Sequence, residues 1–281
     1  MAAPFRQQAT VVSTRRITPE ESTEEVREIV MEINGDNQTF QPGQSVGVLA
    51  PPPEGSSDEH HARLYSIADI LPSETEGRTR FALCVRRCNT VDKFTGAVTR
   101  GVASNYLCDL QPGDSVAVTG PSGIPFPVPK QKEAKLILIG TGTGIAPFRA
   151  FVKHLHKNVP NWKGTIWLFY GAKSGLDLLY LNDPVDNLAD YYDKETFEAF
   201  QALSEKPNWA DPLAWDQAFA ERGAELYKML HDAETYVYVA GLRDMVHGLN
   251  GTFSELAGGA GQWLHLKKKL IEEGRWVELV Y

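Results

Sequence analysis

Between an apolar run, Lys135–Ile139, and a run with helical periodicity, Ala146–His156, the chain reads Gly-Thr-Gly-Thr-Gly-Ile-Ala-Pro-Phe-Arg from Gly140 to Arg149. A strand that breaks into glycines and then opens a helix constrains a fold more than composition does. The glycines let the backbone approach a pyrophosphate. The helix N-terminus that follows offers N–H donors without partners and the positive end of its dipole. Pro147 falls near the first helical turn, where its missing N–H costs little. The same spacing also suits a plain strand–helix turn, and glycines alone do not separate the two.

Downstream of the loop the elements alternate. Thr165–Tyr170 reads as a strand, Thr196–Leu203 as a helix or strand, Asp216–His231 as a helix and Tyr236–Ala240 as a strand. That alternation predicts a parallel, doubly wound α/β sheet. Lys267-Lys268-Lys269 is expected on the solvated face of a terminal helix. Upstream lie short β-like runs: Thr10–Arg15, Val26–Ile33, Ser45–Leu49, Leu64–Ile70, Thr79–Val85 and Ser115–Thr119. Turn signals such as Gln41-Pro42-Gly43-Gln44 and Gln111-Pro112-Gly113-Asp114 separate them. Strands at this spacing predict an antiparallel barrel or sandwich, interrupted by one helix near Ala103–Asp109. The four prolines of Pro121–Pro129 mark the boundary. Two domains are therefore expected, residues 1–128 and 129–281.

Composition narrows the function. With 281 residues, 42% of them hydrophobic, the chain can bury a sizeable core. A formal charge of −8 argues against a non-specific nucleic-acid footprint, which needs a broad basic surface. Three cysteines, Cys84, Cys88 and Cys108, form no disulfide framework and no metal or iron–sulfur spacing. All three are expected to be small buried hydrophobes in a reducing compartment. No run resembles a signal peptide or reaches the roughly 20 apolar residues of a membrane helix. A soluble cytoplasmic protein is expected. His60 and His61 match no motif and are expected to be solvated.

The wording of the glycine loop closely resembles the nucleotide loop of plant-type ferredoxin–NADP(+) reductases, and further similarities follow in order. Arg63-Leu64-Tyr65-Ser66 is similar to that family's R-x-Y-S, and Gly101-Val102-Ala103-Ser104-Asn105 to its G-x-x-S-N. Tyr238-Val239-Ala240-Gly241-Leu242 resembles its late strand, and the chain ends, as the family does, in a lone aromatic, Tyr281. The resemblance implies a two-domain fold, an FAD-binding antiparallel β-barrel followed by an NAD(P)-binding α/β domain. It implies a flavin site of Arg63, Leu64, Tyr65, Ser66, Cys84, Arg86, Gly101, Val102, Ala103, Ser104 and Tyr281. Arg63 would neutralise the pyrophosphate, Tyr65 would offer a flat face, and Ser104 with the helix start would hold phosphate. Ser66 and Tyr281 are the implied catalytic residues, the first beside flavin N5 and the second a ring that gives way to nicotinamide. The implied nucleotide site is Gly142, Thr143, Gly144, Pro147, Ser204, Glu205, Lys206, Trp215, Gly241 and Leu242.

Departures from the family pattern are informative. Ala240 stands where the family carries Cys, and Leu279 stands where its tail carries an acid, with Glu278 one residue off. A one-residue shift in an extended tail reverses the direction of a side chain. Family members that prefer NADP carry S-R and then K-x-Y; here the chain reads Ser204-Glu205-Lys206 and Leu213-Ala214-Trp215. Trp215 would still stack on adenine, while Glu205 would repel a 2′-phosphate, so a weakened preference for NADPH over NADH is expected. Asn89 and Thr90 stand near where relatives place a tyrosine against the flavin adenine, so looser flavin retention is expected.

The function these residues imply is an oxidoreductase that moves electrons between NAD(P)H and a carrier such as ferredoxin or flavodoxin. Arg16, Arg86, Arg87 and Arg100 are candidate docking charges. Two other readings remain open at this point: the reductase component of an oxygenase system, and a flavin- or nucleotide-binding regulatory protein with weak turnover.

Overall fold

Alternation of buried and exposed side chains builds the first unit. Its elements are β1 (Arg6–Arg16), β2 (Val26–Asn34), β3 (Ser45–Ala50), β4 (His61–Leu71), β5 (Arg78–Arg86), β6 (Asn89–Val91), β7 (Val98–Arg100), α1 (Val102–Asp109) and β8 (Ser115–Ser122). Six of the strands close an antiparallel barrel in the order β1-β2-β5-β4-β3-β8. Closure removes the exposed edges a sandwich would leave. Val11, Ile29, Met31, Phe81, Leu83 and Val118 fill the interior, and α1 adds Leu107 and Cys108 to the same core. Phe40 meets Phe81 edge-on at 5.0 Å. The pairing of β4 with β5 slips between Ile67 and Asp69, which makes Ala68 a bulge. The exposed hairpin β6–β7 has no counterpart in the sequence reading, because strands this short carry no usable periodicity.

After the barrel come β9 (Lys135–Thr141), α2 (Ile145–Asn158), β10 (Ile166–Ala172), β11 (Phe197–Leu203), α3 (Trp215–Ala220), α4 (Gly223–Leu230), β12 (Thr235–Gly241), α5 (Met245–Leu256), α6 (Ala260–Glu272) and β13 (Trp276–Val280), which form the second unit except for residues 146–151 of α2. Its sheet runs β11-β10-β9-β12-β13 with every pairing parallel. Strand order reverses at β9, so β9 and β12 flank the topological switch point. An aromatic cluster of Phe219, Phe253, Trp263 and Trp276 packs beside the sheet residues Trp167 and Phe169. The ambiguous Thr196–Leu203 segment is a strand over its described part, Phe197–Leu203. The expected single helix Asp216–His231 is two helices, broken at Arg222-Gly223. A Cβ at Gly223 would lie 2.8 Å from Leu256 Cδ2.

This computed structural model describes residues 6–35, 40–92, 94–181, 188, 197–203, 215–220 and 222–281. The chain divides into two compact units, 1–126 with 146–151, and 127–145 with 152–281. No described helix is long and apolar enough to cross a membrane. Among the described residues no group of three or more His, Cys, Asp or Glu could hold a metal ion.

Candidate functional site

In the barrel unit the candidate residues gather around one end of β4 and the start of α1. Arg63 is exposed, and its Nη1 donates to the Ala62 carbonyl at 2.8 Å. Leu64 beside it is 65% exposed. Tyr65 packs its ring partly against the core, and burial raises its phenol above the usual tyrosine range, so the hydroxyl keeps its proton. Ser66 is half-buried next to it.

The start of α1 is built to stay open. Gly101 is the N-cap, no side chain caps the helix, and no acid lies in its first turn. A Cβ on Gly101 would sit 2.8 Å from the Cys88 carbonyl oxygen, so only glycine allows the approach. Ser104 Oγ accepts from the Cys88 amide at 3.1 Å, and Asn105 Nδ2 donates to the Gly101 carbonyl at 2.8 Å. Open N–H groups on α1, with an exposed arginine and an exposed leucine on β4, suit a group with a pyrophosphate and a flat ring.

Other expected members sit differently. Cys84 is buried, and Arg86 Nη1 lies 3.8 Å from Glu24. Cys88 is exposed rather than buried, because it lies past the end of β5. Burial pushes the Cys108 thiol up to about 12. Each candidate docking arginine binds its own fold. Arg87 reaches Glu25 and Asp109, both at 2.7 Å, and Arg100 reaches Asp109 at 3.0 Å. Arg16 donates to the Pro19 and Ser22 carbonyls at 2.9 and 3.0 Å. His60 is likewise partnered, 2.6 Å from Arg6 and 3.2 Å from Glu59.

In the second unit the glycine loop occupies the switch point. β9 ends at Thr141, a 3₁₀ turn covers Gly142–Gly144, and α2 begins at Ile145 with no side-chain cap and no acid in its first turn. A Cβ at Gly144 would lie 2.2 Å from the Ala240 carbonyl oxygen; the loop and the end of β12 approach as closely as backbones can. Tyr170 Oη donates to the Gly142 carbonyl at 2.7 Å and steadies the turn. Gly241 ends β12 beside it and Leu242 follows, 46% exposed. Tyr281 is 55% exposed, and its hydroxyl lies 2.7 Å from Thr143 Oγ1. An uncapped helix N-terminus without an acid, at a switch point between parallel strands, suits an anionic dinucleotide.

One expectation changes here. Trp215 is 3% exposed and stacks on Phe219 at 5.9 Å, so its ring serves the core and presents no free face to an adenine. Arg149, the last residue of the glycine motif, makes its polar contacts with barrel residues. Its Nη1 lies 2.9 Å from Asp69 and 3.2 Å from the Ala68 carbonyl, and its Nη2 lies 3.5 Å from Glu28. Its role was missed because an Arg at a motif's end reads as a phosphate ligand or as nothing. Pro147 is buried in the first turn of α2. Ser204, Glu205 and Lys206 lie outside the described residues, as do Leu213 and Ala214.

The tail also resolves. Ala240 pairs with Leu279, so the two departures from the family pattern are side by side on neighbouring strands. Glu278 Oε1 accepts from Trp276 Nε1 and lies against Lys267 Nζ, both at 2.6 Å. Lys267 therefore differs from the solvated Lys268 and Lys269, since it also lies 5.2 Å over the Trp276 ring.

Comparison with known proteins agrees with this geometry. A family model described as an oxidoreductase NAD-binding domain matches residues 138–250. The chain is 35% identical over 273 residues to a ferredoxin–NADP reductase of Thermosynechococcus vestitus, covering 95% of this chain and 70% of that one. It is 31% identical over 272 residues to a ferredoxin–NADP reductase of Spirulina sp., covering 94% and 92%. The crystal structure of ferredoxin–NADP+ reductase from Plasmodium falciparum shares the fold, with a TM-score of 0.69 at 22% identity, over 98% of this chain and 96% of that one. With these relatives aligned along nearly the whole sequence, the chain belongs to the ferredoxin–NADP reductase family of oxidoreductases.

Proposed function

We propose that this chain passes electrons between NADP(H) or NAD(H) and a ferredoxin-like carrier, using an FAD held by the barrel domain, residues 1–128, and a nucleotide held by residues 129–281. The observation that carries the reading is the uncapped turn Gly142–Gly144 at the switch point, with Leu242 and Tyr281 beside it. FAD, when bound, supplies the exchange between two-electron and one-electron transfer. The protein's own residues bind and orient. Arg63 and the open start of α1 neutralise a pyrophosphate, Leu64 and Tyr65 offer apolar surface to a ring, and Ser66 holds a hydrogen bond at the reacting edge. On the nucleotide side, the α2 N-terminus and the Gly142–Gly144 amides hold phosphate, and Tyr281 is the ring that gives way to nicotinamide. Family membership favours a reductase over an oxygenase component or a regulatory protein.

The test is anaerobic stopped-flow reduction of the FAD-loaded protein by NADPH and by NADH, followed by reduction of cytochrome c through ferredoxin. Flavin bleaching by at least one nucleotide, with ferredoxin-dependent cytochrome reduction, is the expected result. A chain that takes up no FAD on reconstitution, or stays oxidised under both nucleotides, sinks the proposal.

A further inference from the structure

We propose that the Thr143 hydroxyl is a catch that holds the Tyr281 ring closed, and that a pyrophosphate arriving at the Gly142–Gly144 turn releases it. This rests on the nucleotide assignment made above. The main chain of Tyr281 is pinned independently of its ring. Its amide donates to the Gly241 carbonyl at 3.1 Å, and its carbonyl accepts from the Arg243 amide at 3.0 Å. Tyr281 thus continues the β12–β13 pairing by one residue, and its ring moves only about the side-chain torsions. The hydroxyl at the end of that ring lies 2.7 Å from Thr143 Oγ1.

Thr143 is the central residue of the phosphate-type turn, and its β-branched side chain has few rotamers. Either hydroxyl can donate in this pair; the catch gives that part to Thr143, whose single proton cannot then also serve a phosphate oxygen. A charge-assisted bond to phosphate is roughly twice as strong as a neutral hydroxyl–hydroxyl bond, so the phosphate takes the threonine. The ring is then unlatched before any nicotinamide reaches it. Thr143 is accordingly a positioning residue that acts through Tyr281.

Two measurements test the catch. The first is the rate at which carboxypeptidase A releases residue 281 from the FAD-loaded protein. Thr143→Val should speed release about fivefold, the worth of one neutral hydrogen bond, and Thr143→Ser should match the wild type. ADP-ribose, which has the pyrophosphate but no nicotinamide, should speed release in the wild type and leave Thr143→Val unchanged. The second is a double-mutant cycle in NADP+ affinity. Tyr281→Phe should tighten binding about fivefold in the wild-type background and have no effect in the Thr143→Val background. Equal release rates for wild type and Thr143→Val, or an equal effect of Tyr281→Phe in both backgrounds, overturn the catch. ADP-ribose that binds without speeding release overturns the coupling. A protein that binds no nucleotide sinks the functional reading and the coupling with it, while release in the free protein still judges the catch on its own.

Discussion

Replacing Arg149 by Met should destabilise the barrel unit by about 4 kcal/mol at neutral pH. Arg149 is 2% exposed and Asp69 is 3% exposed at its side chain, with Nη1 and Oδ2 2.9 Å apart. Removing one partner of a buried ion pair costs about 3–5 kcal/mol, because the other charge stays buried. The Ala68 carbonyl at the bulge loses its guanidinium donor too, but that loss shares the same side chain and does not simply add. Arg15 remains 3.3 Å from Glu28 Oε1 and the Ile70 amide still donates to Asp69 Oδ1 at 2.8 Å, so what Asp69 loses is its guanidinium. Urea unfolding of wild type and Arg149→Met at pH 7 measures the loss. The double variant Arg149→Met/Asp69→Leu should recover much of the loss. A deficit below about 1 kcal/mol would refute the assignment of a buried pair at the bulge.

Gly144→Ala should abolish tight nucleotide binding and lower the thermal midpoint, since its Cβ would lie 2.2 Å from the Ala240 carbonyl oxygen; calorimetric titration with NADP+ checks it. The Arg87 guanidinium holds Glu25 down at about 2, and Arg78 does the same for Glu32. Their stabilisation is complete above the ordinary glutamate range and disappears as pH falls from about 4.5 toward 2, so the thermal midpoint should drop over that window, less steeply in Glu32→Gln. Trp215→Ala should cost about 3–5 kcal/mol in urea unfolding, as an aromatic core truncation does, because the ring is 3% exposed. The ratio of kcat/KM for NADPH over NADH should fall below about a hundredfold, or about 2.7 kcal/mol, if Glu205 and Leu213 stand where the phosphate-gripping residues do.

The elements whose pattern is local were legible in the sequence. β2 and β5 differ from the expected strands by a residue or so at the ends, because alternation and flanking turns act within a few residues. The same holds for the strand–glycine–helix unit, whose context made Gly142–Gly144 readable. What escaped depends on partners distant in the chain. Trp215 looks the same from sequence whether it faces an adenine or Phe219. Arg87 looks like a docking charge until Glu25 and Asp109 close on it. Lys267 looks solvated until Glu278 and the Trp276 ring meet it from β13. The break at Arg222-Gly223 had a signal, the glycine itself, which helical periodicity on both sides outweighed.

The two faces of β13 give the tail separate duties. Glu278 joins β13 to Lys267 on α6, so Glu278→Gln should loosen that seam and lower stability while leaving the strand's other face as it was. Leu279 lies on that other face, in register with Ala240. An acid introduced there would enter an apolar neighbourhood that Glu278 cannot serve, since the strand's alternation points the two side chains apart. The position is thus open to redesign without disturbing the anchor of the strand, and chemistry restored at 279 could be measured against an unchanged fold.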